Sequence, residues 1–147
     1  MIAASALNLR NIVTPEQIKT RAKGTLVEYL GMEFTAVSHG SSSAYIDLQP
    51  RHLAPNGYLH GGTVAALADT CCGYGCLASL PEGAESFTTI EFKTNFLGTA
   101  REGRISCEAR LMHGGRSTQV WDADVRNEAG KVIAHFRCTQ MILYPRS

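Results

Sequence analysis

Three absences bound what this 147-residue chain can be. It has no run of about 18 apolar residues, so no segment reads as a membrane-spanning helix. It has no excess of one charge: 14 Lys and Arg face 13 Asp and Glu, which removes the electrostatic footprint expected for binding nucleic acid or an anionic membrane. The five cysteines are an odd number and include no paired C-x-x-C motif. Three of them, Cys71, Cys72 and Cys76, fall in one apolar stretch, which suits small core residues in a reducing compartment better than a disulfide framework or a metal site. The first residues, MIAASALNLRN, lack the basic start and long apolar core of a signal peptide. A cytoplasmic protein of one domain is expected over residues 1–147, with 1–31 as an N-terminal helical extension. No internal repeat or low-complexity segment is visible.

What is present is organised around Leu59 to Leu80, LHGGTVAALADTCCGYGCLASL. This is a long apolar helix opened by His60-Gly61-Gly62 and interrupted by a single formal charge, Asp69. A carboxylate among small and apolar neighbours needs a reason, because burying a charge is costly.

Around that helix the chain reads as short elements. Thr14-Pro15-Glu16-Gln17 has a hydroxyl cap, a proline at the first helical position and Gln three residues after the cap, so one helix is expected from there to about Leu30, ended by Gly31. Met32 to Ser38 and Ala44 to Leu48 read as strands, the second with Ala44, Ile46 and Leu48 on its core face. Pro50 to Tyr58 is a loop. Ser86 to Phe96 alternates, with Ile90, Phe92 and Phe96 on a buried face and Thr89, Glu91, Lys93 and Asn95 on a polar one. Arg104 to His113, Ser117 to Arg126 and Lys131 to Tyr144 are strands joined by short turns, hence antiparallel neighbours. Their apolar rows are Ile105, Cys107, Ala109 and Leu111; Trp121, Ala123 and Val125; and Val132, Ala134, Phe136 and Cys138. The economical α+β architecture is a curled antiparallel β-sheet wrapped around the long central α-helix.

The first turn of a helix leaves backbone N–H groups unpaired, and Gly61-Gly62 removes the side chains that would block them. Such a turn can polarise a carbonyl or hold an oxyanion; a glycine pair also serves a tight loop-to-helix junction. Asp69 is the sharper signal, because Ala65, Ala66, Cys72 and Gly73, three and four residues away, are all small and leave room beside the carboxylate. Gly61 and Asp69 are eight residues apart, ~12 Å along one helix axis, too far for both to touch one reacting carbonyl. If they serve one reaction, a second copy of the helix must run antiparallel in a symmetric dimer, so that one subunit's Asp69 meets the other's Gly61.

His60-Gly61-Gly62, the helix through Ala65-Ala66-Leu67-Ala68-Asp69-Thr70, and Thr89-Ile90-Glu91-Phe92-Lys93-Thr94-Asn95-Phe96-Leu97 together resemble the hotdog-fold acyl-CoA thioesterases of the PaaI type, over about Val37 to Leu143. The resemblance implies the hotdog fold, homodimers paired into homotetramers, and hydrolysis of an acyl-CoA thioester without a metal or other cofactor, CoA being part of the substrate. It further implies that the Gly61 N–H polarises the thioester carbonyl and that His60 fixes the loop. Asp69 of the neighbouring subunit attacks or activates water, and Thr89 orients that water or the carboxylate. The family places an Asn six residues before the His; here that position is Ala54, and Asn56, four before, is the candidate for the role. Gly62 belongs to the same substrate-binding turn. His113-Gly114-Gly115-Arg116-Ser117 resembles the family's turn toward the phosphates or pantetheine arm of CoA, although a hairpin turn with a solvated Arg has the same appearance.

The other possibilities are weaker. A metal held by His52, His60 and the helix cysteines lacks suitable spacing. His135, Arg137 and Trp121 read as structural or interface residues. A hotdog acyl-CoA dehydratase or hydratase would need an acid partner for His60, and a noncatalytic acyl-CoA binder would need no Asp69 chemistry. Tyr58, Tyr74 and Phe87 are candidates to line an acyl pocket.

Overall fold

The computed structural model describes residues 13–146. The first twelve residues, which hold the start of the expected extension and bear on the absence of a leader, lie outside the described residues. Thr14 opens α1 (Pro15–Arg21): its hydroxyl accepts the Gln17 N–H and the Gln17 side chain accepts the Thr14 N–H, both at 3.2 Å. The single helix expected to Leu30 is instead two. Gly24 takes φ 76°, a left-handed conformation that breaks the helix, and the chain restarts as α2 (Leu26–Tyr29) before Gly31 ends it.

Six strands follow the expected segments closely: β1 (Glu33–Ser38), β2 (Ser41–Asp47), β3 (Ser86–Phe96), β4 (Arg104–Gly114), β5 (Thr118–Arg126) and β6 (Val132–Leu143). They form one antiparallel sheet in the order β1-β2-β4-β5-β6-β3. The two short turns make β4, β5 and β6 neighbours, while β3 pairs with β6 and ends as an edge.

The long helix, α3 (Gly61–Ala78), packs on this sheet. Leu67, Ala68, Cys71, Cys72 and Cys76 are buried against Ile105, Cys107, Trp121, Ala123, Phe136 and Cys138, and all five cysteines are free thiols. Small helix residues let the sheet approach: a Cβ on Gly75 would lie 2.7 Å from the Trp121 ring, so only glycine accommodates that ring there. Among the described residues, no helix is long and apolar enough to cross a membrane.

Both ends of α3 are tied down. At its far end the Ser79 hydroxyl donates to the Gly75 carbonyl and accepts the Gly40 N–H, and the Ser79 carbonyl accepts from Gln119 Nε2, whose Oε1 accepts the Trp121 indole N–H. At its start the carbonyl of fully buried His52 accepts the His60 N–H at 3.1 Å and the Thr63 hydroxyl at 3.0 Å. The polar atoms of both ends are thus spent on position.

One expectation about β3 fails. Alternation puts Thr89 opposite Phe92, but the register shifts between Thr89 and Glu91: Thr89 pairs with Gln140 and Phe92 with Cys138, both helix-facing positions on β6. The bulge at Ile90 brings Thr89 to the helix side. Nor is the apolar row of β3 buried within one chain, since Ile90, Phe92 and Phe96 are 51%, 50% and 55% exposed. Among the described residues β3 is an edge strand with no strand beyond it.

His52 gives this fold an acid-sensitive joint. Its Nδ1 accepts the Gln49 N–H at 2.8 Å, so Nε2 carries the proton and donates to the Leu30 carbonyl at 2.7 Å. Burial holds the ring below the ordinary imidazole value, the Leu30 bond opposes this in part, and Arg51 adds to it. A depressed value means the contribution is complete above the unfolded imidazole value of about 6.5 and is lost as pH falls toward the folded one. Thermal unfolding should show a midpoint that declines as pH is lowered below about 6.5, with a shallower decline in His52→Gln; an equal slope in the variant contradicts this role.

Candidate active site

His60 caps α3 in extended conformation, and its Nδ1 accepts the Gly62 N–H at 2.7 Å. The Thr63 and Val64 N–H groups both turn to the His60 carbonyl, at 3.0 and 3.4 Å. Of the four N–H groups in this first turn, Gly61 alone has no acceptor among the described residues. Two glycines therefore do different work. Gly62, expected in the substrate-binding turn, spends its N–H on His60, and a Cβ there would lie 2.8 Å from Nδ1. Gly61 keeps its N–H free, and a Cβ on it would lie 2.9 Å from the tip of the Phe96 ring.

Asp69 lies two turns along α3 and is half-buried. Burial pushes its carboxyl above the usual carboxylate range, and the Thr89 hydroxyl opposes this in part. That hydroxyl is 3.5 Å from Asp69 Oδ1 but 2.7 Å from Gln140 Oε1, and it has one proton to give. The shorter contact takes it, so Asp69 is weakly held. Such a group suits nucleophilic attack or proton abstraction, because little has to be broken before it acts.

Beside Asp69 is an open groove of about 360 Å³. Its lining includes Thr89, Gly73, Tyr74, Phe87 and, from α1, Arg21. The Phe87 ring lies against the bare backbone of Gly73, where a Cβ would be 3.1 Å from Cζ. Tyr74 and Phe87 thus line the groove as expected. Tyr58 does not; it is exposed on the loop, with the Arg101 guanidinium 4.6 Å from its ring centre.

The remaining candidates are not brought to this groove. Asn56 is exposed, and its Oδ1 accepts the Tyr58 N–H at 3.1 Å within its own turn. His113, Gly114, Arg116 and Ser117 are exposed around the β4–β5 turn, in which the Gly115 N–H goes to the Thr118 carbonyl. Tyr144 donates to the Arg116 carbonyl. Gly114 pairs with Gln119, which holds Ser79, so this turn lies at the opposite end of α3 from Gly61. His52 and His60 each use Nδ1 to accept a backbone N–H. Among the described residues no group of three or more His, Cys, Asp or Glu side chains is arranged to hold a metal ion.

The same arrangement of helix and sheet is found in known proteins. A model of the thioesterase superfamily matches residues 56–134, more than half of the chain. The chain belongs to the thioesterase superfamily. The 1,4-dihydroxy-2-naphthoyl-CoA hydrolase of Listeria monocytogenes is 32% identical over 114 residues, covering 78% of this chain and 92% of the relative. The Escherichia coli hydrolase of the same name is 29% identical over 134 residues, 89% of this chain and 96% of the relative. A thioesterase from Haemophilus influenzae superposes with a TM-score of 0.83 at 29% identity, covering 89% of this chain and 91% of its own. The E. coli PaaI protein, at 21% identity and a TM-score of 0.78 over 92% of this chain and 96% of its own, has the same hotdog fold.

Within this thioesterase-superfamily chain, Gly61, Asp69 and Thr89 lie inside the matched segment and Arg21 outside it. Sequence reading missed Arg21, Gln140 and the contact of Phe96 with Gly61. The first lies 48 positions from Asp69 with no motif joining them, and the other two depend on the register of β3 against β6 and α3.

Because burial disfavours the charged form of the Asp69 carboxyl, replacing it with an uncharged isostere removes a cost. Asp69→Asn should raise the thermal midpoint at pH 7; a lower or unchanged midpoint contradicts this account.

Proposed function

We propose that the chain hydrolyses an acyl-CoA thioester to the free acid and CoA, in a site shared by two copies of the chain. The observation that carries this reading is the division of labour on α3. The free Gly61 N–H and the weakly held Asp69 carboxylate belong to one helix, ~12 Å apart along its axis. A symmetric dimer with antiparallel α3 helices joins one subunit's Gly61 to the other's Asp69. The free edge of β3, with Ile90, Phe92, Phe96 and Leu97 all at least half exposed, is the surface such a dimer would bury. Two dimers pairing into a tetramer extends the same reading.

In this mechanism the Gly61 N–H donates to the thioester oxygen, and charge developing there is stabilised by the helix start. Asp69 attacks the carbonyl carbon, or takes a proton from the water that does; the new carbon–oxygen bond forms as the carbon–sulfur bond breaks, and the CoA thiolate leaves and is protonated. With Asp69 as nucleophile, water then cleaves the resulting anhydride and regenerates the carboxylate. Thr89 orients the water or the carboxylate, and His60 holds the turn that aims Gly61. Exposed Arg116, with Gly114 and Gly115 at the opposite end of α3 from Gly61, is a candidate contact for the CoA phosphates, and Asn56, held within its own turn, is a candidate to orient the carboxylate of a partner subunit. The thioester is carried over from the relatives, and the acyl group is not.

Three measurements test this. Asp69→Ala should lower hydrolysis by about two orders of magnitude or more while the protein remains folded; near-native turnover would falsify the assignment. Hydration of an enoyl-CoA without thiol release would favour a dehydratase, and acyl-CoA binding unchanged in Asp69→Asn with no turnover at all would favour a noncatalytic binder. The rate should fall as pH is lowered through the raised carboxyl value of Asp69, so the acid limb lies above the ordinary value of about 4; a limb at or below that value contradicts the burial argument. Mixing inactive Asp69→Ala with inactive Gly61→Pro subunits should restore partial activity in heterodimers, and confirmed mixing without recovery counts against the shared site.

A further inference from the structure

The groove beside Asp69 has one wall that the superfamily match does not include. Arg21 closes α1 and lines the groove together with Asp69, Gly73, Tyr74 and Phe87. The ion pairs among the described residues leave Arg21 without a carboxylate partner, although Arg104, Arg110 and Arg137 each have one. Arg21 opposes the upward push of burial on the Tyr74 hydroxyl, so its guanidinium lies on the Tyr74 side of the groove. Tyr74 is five residues beyond Asp69 on α3, so that side of the groove is the one away from the reacting carboxylate. Along α3, Gly73 and Tyr74 lie roughly 6 and 8 Å beyond Asp69, a span that suits a short acyl group with its carbonyl at Asp69.

The walls favour an acyl group over the CoA arm in this space. The tip of the Phe87 ring lies against the bare backbone of Gly73, and Tyr74 is fixed by an edge contact with Phe34, ring centres 5.1 Å apart. Aromatic walls offer a pantetheine amide few hydrogen bonds, but they suit a ring or short chain. Arg21 is exposed and has no carboxylate partner among the described residues, so a purely apolar acyl group would make no use of its guanidinium. A carboxylate at its far end would instead form the forked, charge-assisted pair that guanidinium makes best.

We infer that Arg21 is a specificity residue that selects acyl groups carrying a carboxylate at the end remote from the thioester. This rests on the hydrolase function proposed above. Arg21 takes no part in the chemistry; it anchors the distal carboxylate and so presents the carbonyl at Asp69, with the Tyr74 hydroxyl as a second donor.

The test compares benzoyl-CoA, 4-hydroxybenzoyl-CoA and 4-carboxybenzoyl-CoA in the wild type, Arg21→Ala and Arg21→Lys. Arg21→Ala should lower kcat/KM for the carboxylated substrate about 10-fold or more, mainly through KM, and change benzoyl-CoA less than about 2-fold. Arg21→Lys should recover part of the loss, and the hydroxylated substrate should fall between the other two. Equal losses on all three mark a contact to the CoA phosphates or a structural role, and no loss on the carboxylated substrate means no contact; each overturns the inference. Calorimetry with two non-hydrolysable thioethers, phenacyl-CoA and 4-carboxyphenacyl-CoA, separates this from the hydrolase reading. If no thioester is hydrolysed but Arg21→Ala weakens the carboxylated thioether alone, the hydrolase function fails and the selection by Arg21 stands. If the variant weakens both thioethers equally or neither, or the wild type does not bind the carboxylated one, the selection by Arg21 fails whatever the turnover.

Discussion

A helix that is apolar on nearly every side has to be enclosed, and a sheet can enclose it closely only where the helix side chains are small. The structure meets that constraint with three glycines of α3, each covered by an aromatic ring from the sheet: Phe96 on Gly61, Phe87 on Gly73 and Trp121 on Gly75. The rings take up the volume that larger helix residues would otherwise fill, so packing density is kept while the backbone stays within reach. Where the helix is closed in this way, its polar groups can only be satisfied by specific partners. His52 supplies them at one end, and Ser79 with Gln119 at the other.

Against that background the treatment of carboxylates divides the molecule. Asp122 is almost fully buried, yet Arg137 grips it through both Nε and Nη2, and its carboxyl is held below the usual range. Asp124 would be pushed up by burial but is held down by His135 and Arg110. Among the described residues Asp69 has no ion-pair partner, and its carboxyl moves the other way. Asp122 and Asp124 are paired and Asp69 is not, which accords with the role proposed for it.

Much of this was legible in the sequence, because it depends on local patterns. The bounds of α3, the cap of α1 and the strands, with the buried rows Ile105, Cys107 and Ala109 of β4 and Trp121, Ala123 and Val125 of β5, follow from spacing and turn residues alone, as does the oddity of Asp69. In the row expected on β6, Val132 is displaced, with Ile133 buried instead. The rest depends on relations that spacing does not carry. One glycine at position 24 splits a helix whose other signals run through to Gly31. The exposure of Phe92 and Phe96 reflects where β3 falls in the sheet order, which its own alternation cannot reveal. That Gly62 spends its N–H and Gly61 keeps it follows from the orientation of one imidazole ring. Arg21 joins the groove only because α1 folds back onto it.

The bulge in β3 sets a counting rule on the site. Thr89 must face Asp69 and Phe96 must face Gly61, yet the two are seven residues apart, an odd number, and a regular strand would turn them to opposite sides of the sheet. Ile90 is the extra residue that corrects the parity. Length changes between these two positions are therefore tolerated in pairs and not singly: losing one residue would rotate one end of the site out of the enclosure while leaving every hydrophobic residue in the strand. The geometry of the site is stored partly in how many residues separate its ends, not only in which residues they are.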